Sequence, residues 1–552
     1  MKCAAAAMAT VAAIAAFAAD GERLIEPGEK VLDAVFDRPV RGCRTVNHQK
    51  MLSLDFGREV LGQPAFCVSA ASNVVKTGWG LRTPEFPVKG GRGFSVEISA
   101  CGSLDMRRPR GNKAHATYIS WLDADGKELE GYRTFGVRTD PRAWTVTTVA
   151  GDVPPDAHRA AVCIGCECES MTNGDYVAIS RITARLHPAG PKAEDRVAIR
   201  DDGMVLVGGK PFFPIGIYAV EKKDFNGNDI RRAFRELKAA GFNFAHTYNN
   251  QRNQEREDFL AAADEAGMKL WLPPGTGNKR FSETNIINER WHPSMLAWYL
   301  GDDTANKVPP DEVMRRHFAC RIADPAHITV QADYLARDRS HRYRPYVHCT
   351  DAFLLETYHV RAKTRTGLEV ASVIRDMRRV AQIIATEGAP VKSVWPIIQH
   401  FEGWQTWKRF PTFEELRAMS FAAIIHGARG IVWYTYGGDG KRGRGVTSSQ
   451  ERWREIRTVV GEISSIQNDL TTRDAAIQPS VDVLVGPALD ACGQKSVTCL
   501  LKSSGLLMAV NASTNDVTAR IAVKGTEGRT LRFCPYEAKV FREEGPEVAE
   551  KH

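Results

Sequence analysis

The 552-residue chain is short of the features that mark most ligand chemistries. It has no glycine-rich phosphate loop, which argues against a nucleotide or dinucleotide site. Its twelve cysteines include no doubled Cys/His pattern at zinc spacing. The formal net charge of +8 is small for this length, and the densest basic clusters, Met106–Lys113 and Arg337–Arg344, carry no nucleic-acid motif. They read as solvated loops, so no nucleic-acid partner is expected. Only one long apolar run is present, and it sits at the N-terminus. A hydrophobic share of 43% and a charged share of 25% are ordinary for a globular chain with a sizeable core. Two to four domains are expected from length.

Met1-Lys2 gives a short positive start, and Cys3–Ala19 is a run of small apolar residues. Ala16-Phe17-Ala18 fits the small-x-small cleavage rule. The expectation is a signal peptide over 1–18 and a secreted or periplasmic mature chain. The run is too short and alanine-rich for a comfortable span, so no integral membrane segment is expected in the mature chain. Removing Cys3 leaves eleven cysteines, an odd number for an exported protein. Cys163-Ile-Gly-Cys166-Glu-Cys168 has the look of a metal knuckle, but its context is strand-like and a buried strand is the better reading. Cys492 and Cys499 have the spacing to pair across a hairpin.

Residues 20–190 show short alternating segments with turn residues between them: Phe94–Ala100, Ala116–Leu122 before Asp123-Ala-Asp-Gly126, Trp144–Val149 and Tyr176–Ile182. That spacing predicts an antiparallel β-sandwich. The order of Trp144, Val153-Pro-Pro, Ala161-Val-Cys-Ile and Gly174-Asp-Tyr-Val-Ala-Ile resembles jelly-roll carbohydrate-binding modules. The resemblance implies either glycan binding or buttressing of a neighbouring domain. Without an aromatic platform, buttressing is the reading taken.

After the linker His187-Pro-Ala-Gly-Pro191 the texture changes. Over 195–470, strand-like apolar runs alternate with helical periodicity. The runs are Phe212–Tyr218, Phe242–Tyr248, Met268–Leu272, Met295–Leu300, Ile328–Ala332, Ala352–Tyr358, Val394–Gln399 and Gly430–Tyr436. Gly241, Gly267 and Gly427 stop helices, and Thr412-Phe-Glu-Glu415 offers a capping box. Eight such strands in about 270 residues match a (β/α)8 TIM barrel. Residues 475–545 return to short strands and predict a small C-terminal antiparallel β domain. The fold class is thus multidomain, α/β plus all-β.

Chemistry in a TIM barrel lies at the C-terminal strand ends. That rule selects Tyr218; His246 and Tyr248; Asp302 and Asp303; Gln331 and Asp333; Glu356 and Tyr358; Gln399, His400 and Glu402, with Trp404 and Trp407 just beyond; and Trp433, Tyr434 and Tyr436. The set is acidic and aromatic, with no metal cluster and no cofactor motif, so neither metal nor cofactor is expected. Aromatic faces stack on sugar rings while carboxylates and amides bind hydroxyls. Glycosidases also need two carboxyl groups, one protonated and one ionised.

Trp298-Tyr299-Leu300-Gly301-Asp302-Asp303-Thr304 is similar to the W-Y-L-x-D-E-P fourth-strand signature of exported bacterial barrels in clan A glycoside hydrolases. Gly209-Lys-Pro-Phe-Phe-Pro-Ile-Gly and the segment from Pro411 to Ile431 share that likeness, which spans about Asp201–Leu470. It implies a glycoside hydrolase with a carbohydrate substrate, and it gives Asp303 the acid/base place with Asp302 binding a hydroxyl beside it. Two departures follow. The family residue is Glu, and Asp sets the carboxyl back by roughly 1.5 Å, one C–C bond. A misplacement of about 1 Å can cost on the order of 100-fold in rate. The family nucleophile is a Glu ending strand seven, where this chain has Gln399. Glu356 or Glu402 is then expected to supply the second carboxylate; an inverting geometry or a substrate-assisted route stays open. The expected catalytic set is Asp303, Glu356 and Glu402. The expected sugar-binding set is Asp302, Tyr218, His246, Tyr248, Gln331, Tyr358, Gln399, His400, Trp404, Trp433 and Tyr436. The rival expectation is a glycan-binding protein on a barrel that has lost its catalytic pair.

Overall fold

The computed structural model describes residues 29–47, 52–104, 106, 117–129, 135–189, 192–220, 230–247, 253–274, 286–287, 289–335, 343–437, 444–524 and 527–542. The first 28 residues, and with them the expected signal peptide, lie outside that set.

Alternating apolar residues in the N-terminal third bury one face of each strand, and two antiparallel sheets close on those faces. One sheet has six strands, centred on Tyr176–Ala189 and Arg92–Gly102. The other has five, centred on Arg159–Met171 and Val74–Arg82. Phe66, Trp79, Ile98, Val162 and Ile182 meet between them. The Cys163–Cys168 stretch lies within the strand Arg159–Met171, as its strand-like context suggests.

Eight parallel strands close into a barrel: β1 (Ile215–Ile217), β2 (Phe244–His246), β3 (Lys269–Leu272), β4 (Met295–Tyr299), β5 (Ile328–Asp333), β6 (Ala352–Thr357), β7 (Ser393–Gln399) and β8 (Ile431–Tyr434). The helices packed around it include α1 (Ile230–Ala239), α2 (Asn253–Ala266), α3 (Pro310–Ala323), α4 (Leu368–Thr386), α5 (Phe413–Ile425) and α6 (Gln450–Ser465). The capping box at α5 forms: Thr412 Oγ1 accepts from Glu415 N at 3.3 Å, and Thr412 N donates to Glu415 Oε2 at 2.9 Å. None of the described helices is long and apolar enough to cross a membrane.

Strand side chains alternate between lumen and helix layer. Phe244, Trp271, Tyr299, Leu354, Trp395 and Val432 fill the lumen. Ile217, Leu270, Trp298, Phe353, Ile398 and Trp433 face the helices. Gly216 has no alternative on β1, since a Cβ there would come within 1.9 Å of the Phe244 ring. On β4 the pairing slips by one residue between Met295 and Ala297. That bulge re-aims the strand end and leaves Tyr299 inward and Trp298 outward. Trp298 Nε1 donates to Asp324 Oδ2 at 2.8 Å, so the tryptophan of the fourth-strand signature packs the barrel's outer layer.

A three-stranded sheet of Val197–Ile199, Val205–Val207 and Lys210–Phe212 joins Val197 and Val205 to the lumen core. The sandwich is tied to the barrel by Arg290, whose buried guanidinium pairs with Asp152 and donates to Ala323 O at 2.8 Å. After α6, two three-stranded antiparallel sheets follow. Tyr536 OH donates to Glu369 Oε2 of α4 at 2.7 Å, and Asp474 holds Arg429 and Lys502 at 2.9 and 2.8 Å. Cys492 and Cys499 do not pair: Cys499 Sγ lies against Pro479 O, Cys492 Sγ against Ser372 and Arg375, and both are free thiols.

Candidate active site

The even–odd alternation sorts the strand-end residues before any distance is measured. Tyr218, His246, Tyr299, Glu356, Tyr358, Gln399 and Tyr434 share the inward parity of their strands. Gln331 and Trp433 do not. Gln331 turns toward the loop after β4, where its Nε2 donates to Thr304 Oγ1. Trp433 Nε1 donates to Ser420 Oγ of α5 at 3.2 Å. Both are fully buried, so the sugar-binding expectation for these two is corrected.

β4 ends on two carboxylates. Tyr299 OH donates to Asp302 Oδ1 at 2.9 Å. Tyr218 OH lies 3.4 Å from the same oxygen and is hydrogen-bonded to Tyr299 OH. Burial and the neighbouring charge of Asp303 push the Asp302 carboxyl up, with Lys307 and the two phenols pulling the other way. Asp303 takes the left-handed conformation, φ +50°, just before the helical turn Thr304–Lys307. Its carboxylate meets Lys307 Nζ at 2.9 Å, and the same ammonium reaches Asp302 at 3.7 Å. Burial alone would lower the Lys307 ammonium; Asp303, Asp302 and Glu356 outweigh it and raise the group.

Glu356 closes the inward face of β6. Its carboxyl makes no hydrogen bond among the described residues. Burial, then the charges of Asp302, Asp303 and Asp333, push it well above the ordinary glutamate range, with Lys307 opposing. It is thus held protonated in conditions where an exposed glutamate would ionise. Asp333 is pushed up to about 6 by burial, although it accepts from Ala305 N at 2.7 Å, Tyr334 N at 2.9 Å and Thr304 Oγ1 at 3.0 Å. It is oriented toward the turn after β4 and holds that turn in place.

Aromatic rings wall this acidic basin. Tyr434 sits 5.5 Å from Tyr218 and 5.8 Å from Tyr358, centroid to centroid. His246 packs on Tyr218 at 4.2 Å, and burial drops its imidazole well below the usual range, so it is neutral. Tyr358 continues outward to Trp407, edge to face at 5.8 Å. Trp404 and Trp407 form the feet of a tight turn, their rings 5.4 Å apart.

The strand-seven residues behave differently from expectation. Gln399 accepts from Val360 N at 2.9 Å and donates to Val360 O at 3.0 Å and Phe401 O at 3.3 Å. Both ends of its buried amide are spent on backbone, which removes it from the sugar-binding set. His400 is buried against Phe410, with Nε2 near Arg452 O at 3.4 Å and its imidazole lowered to about 3 by burial; it is a neutral core residue. Glu402 is ion-paired with Arg444 and accepts from Phe410 N at 3.2 Å. A carboxylate so engaged is a poor second catalytic group, so that expectation is corrected. Tyr436 is buried and packs edge to face on Trp453 of α6, 6.5 Å between centroids, with its backbone N–H donating to Tyr218 O at 3.0 Å. Tyr248 lies outside the described residues.

Lys307 and Tyr299 belong to the basin without having been named as site residues from sequence, and Tyr434, a strand-eight candidate left out of the sugar-binding set, belongs to it as well. Lys307 was findable as the i+4 partner of Asp303 on a helical turn. Parity would have chosen Tyr434 over its outward neighbour Trp433 for the sugar-binding set. No group of three or more potential metal ligands is present among the described residues.

No family model matches the chain, and no curated protein does. Solved structures similar to it include a beta-glucuronidase of Parabacteroides merdae (11% identity, 90% of this chain over 64% of that one, TM-score 0.35). A glycoside hydrolase family 5 protein from Bacteroides vulgatus matches at 12% identity, 66% over 93%, TM-score 0.41. A GH2 beta-galacturonidase from Eisenbergiella tayi matches at 11%, 76% over 98%, TM-score 0.37. The chain spans less than two thirds of the Parabacteroides merdae enzyme. The closed eight-stranded parallel barrel beside antiparallel sheets is the architecture of a (β/α)8 barrel with added β domains. Likeness at these identities and scores carries no argument about substrate or reaction.

Proposed function

We propose that this chain hydrolyses a glycosidic bond in a polysaccharide or oligosaccharide, with Glu356 as proton donor and the Lys307-paired Asp303 as the ionised partner. The supporting observation is Glu356 itself: an inward carboxyl at the end of β6, without a hydrogen-bond partner among the described residues, kept protonated by burial and three neighbouring carboxylates. Acid–base cleavage needs two carboxyl groups, one protonated and one ionised. Glu356 would protonate the leaving oxygen. Asp303 would act on water or on the anomeric carbon, while Asp302, fixed by Tyr299, would accept from a sugar hydroxyl. The aromatic wall would stack on the ring. These roles reverse the sequence expectation for Asp303, whose carboxylate is ion-paired with Lys307 at 2.9 Å. Export, which the leader-like first 18 residues suggest, belongs to the same proposal.

One observation favours a second reading. The strand-seven position holds an amide committed to backbone, so a glycan-binding protein without turnover fits that feature. Reducing-end release over a broad polysaccharide panel separates the two. Turnover that disappears in both Glu356→Gln and Asp303→Asn supports hydrolysis; retention of a glycan with no release by the wild type supports binding.

A further inference from the structure

The aromatic wall does not stop at the basin. It runs from Tyr434 through Tyr358 to Trp407 and Trp404. Trp407 Nε1 donates to Tyr358 O at 3.0 Å, which fixes the indole on the loop after β7 to the end of β6. Arg361 lies over the Trp407 ring, its guanidinium 5.5 Å from the centroid. Arg361 Nε donates to the same Tyr358 carbonyl at 3.3 Å. The guanidinium is exposed and makes no ion pair with a carboxylate among the described residues. In a cavity of about 460 Å³ lined by Lys363, Arg365, Arg409 and Arg452, Arg365 and Arg409 pair with Glu415 at 3.3 and 2.6 Å and Arg452 pairs with Glu455 at 2.7 Å, whereas the exposed Lys363 and Lys408 make no ion pair among the described residues and do not offer the planar donor pair of a guanidinium.

Resting on the glycan-site reading above, we infer that the Trp404–Trp407 turn and Arg361 form a subsite for an acidic sugar, one bearing a carboxylate or sulfate. The indoles supply the stacking face. The free Nη groups of Arg361 supply the planar, charge-assisted donor pair that carboxylate and sulfate oxygens take. The basin itself has the opposite character: its one described cation, Lys307, is shared by Asp302 and Asp303. An anionic group is therefore accepted at the platform and opposed beside Glu356. The substrate is a chain whose acidic unit lies outside the bond that is cut.

Calorimetric titration of the full chain carrying Glu356→Gln, which blocks turnover, tests this with oligogalacturonate, a sulfated galactan oligosaccharide and a neutral mannan oligosaccharide of equal length. The expected result is at least about tenfold tighter binding of one or both anionic probes, weakened by 0.5 M salt. Arg361→Gln should remove that preference and Trp404→Ala should weaken all probes, both with unchanged melting temperature. Carboxylate and sulfate arms identify the source of the charge. Equal affinity for neutral and anionic probes, no binding of any probe, or an anionic preference that survives Arg361→Gln overturns the inference. Anionic binding through Arg361 in a protein with no turnover leaves the subsite standing and removes the hydrolase reading.

Discussion

Replacing Gln399 with Glu puts a carboxylate at the inward end of β7, and it tests what the amide does here. In the structure the amide donates to Val360 O at 3.0 Å and Phe401 O at 3.3 Å and accepts from Val360 N at 2.9 Å, in a fully buried setting. A carboxylate keeps only the last bond. Two donated bonds are lost at about 1 kcal/mol each, and two carbonyl oxygens are left facing an acceptor at a further ~1–3 kcal/mol. Gln399→Glu should therefore lose roughly 3–5 kcal/mol of barrel stability above neutral pH. The pH dependence has a definite sign. The new carboxyl, desolvated and facing carbonyls, has a folded pKa above its unfolded value, so the folded state binds more protons and stability falls as pH rises. The penalty is small near pH 4, where a protonated carboxyl can still donate to Val360 O, and complete above the folded pKa. Denaturant midpoints for wild type and variant at pH 4 and pH 8 measure it, alongside release from any glycan the wild type cleaves. A variant as stable as wild type at pH 8, with gained activity, would refute the clamp and make position 399 a lapsed nucleophile.

Glu356→Gln should abolish turnover and at the same time stabilise the fold at pH 8 by about 0.5–2 kcal/mol, because the buried carboxyl loses stability as pH rises through its raised pKa; thermal melts that fall instead contradict the placement. Lys307→Met removes the cation that lowers Asp302 and Glu356, so the alkaline limb of the pH–rate profile, where Glu356 gives up its proton, should move to higher pH while the rate drops; a limb moving down is the contrary result. Asp333 should titrate near 6 by carboxyl ¹³C NMR, its stabilising contribution present below 3.8 and lost as pH rises through 6; a midpoint near 4 would show it solvated. Asp152→Ala strands the buried Arg290 guanidinium and should cost about 2–3 kcal/mol, read as an earlier sandwich transition in calorimetry; an unchanged trace would mean Arg290 is held by Ala323 O alone.

The elements were legible because their signals are local. Apolar runs, the glycine stops at Gly241, Gly267 and Gly427, and the Thr412 capping box set eight strands and their helices to within a few residues. The strand ends followed from the barrel rule. What sequence reading handled poorly was direction. Gln331 and Trp433 sit at the correct height and on the wrong face, which the period of two would have revealed once strand limits were fixed. The slip at Leu296 is a harder case, since a bulge depends on pairing with β3 and leaves no composition signal. Partner choice was least legible. Glu402 meets Arg444 across 42 residues and Gln399 meets Val360 across 39, and a chain of this length offers many cations and carbonyls to each. For the same reason Cys492 and Cys499, seven positions apart, took different neighbours.

The amide at 399 and the platform at 361 belong to one mechanical unit. Val360, gripped at both backbone poles by Gln399, lies between Tyr358 and Arg361. Tyr358 O accepts from Trp407 and Arg361 together. Glu356 is two residues upstream on the same strand end, and Gln399 is the last residue of β7, which pairs with β6 through Thr357↔Ile398. The Gln399 amide thus fixes the backbone that presents both Glu356 and the Tyr358–Trp407 rings. If that coupling holds, a substitution at Gln399 that keeps the fold, such as Gln399→Met, should disturb acidic-glycan binding and Glu356-dependent turnover together. A lapsed nucleophile in an inert barrel would alter neither.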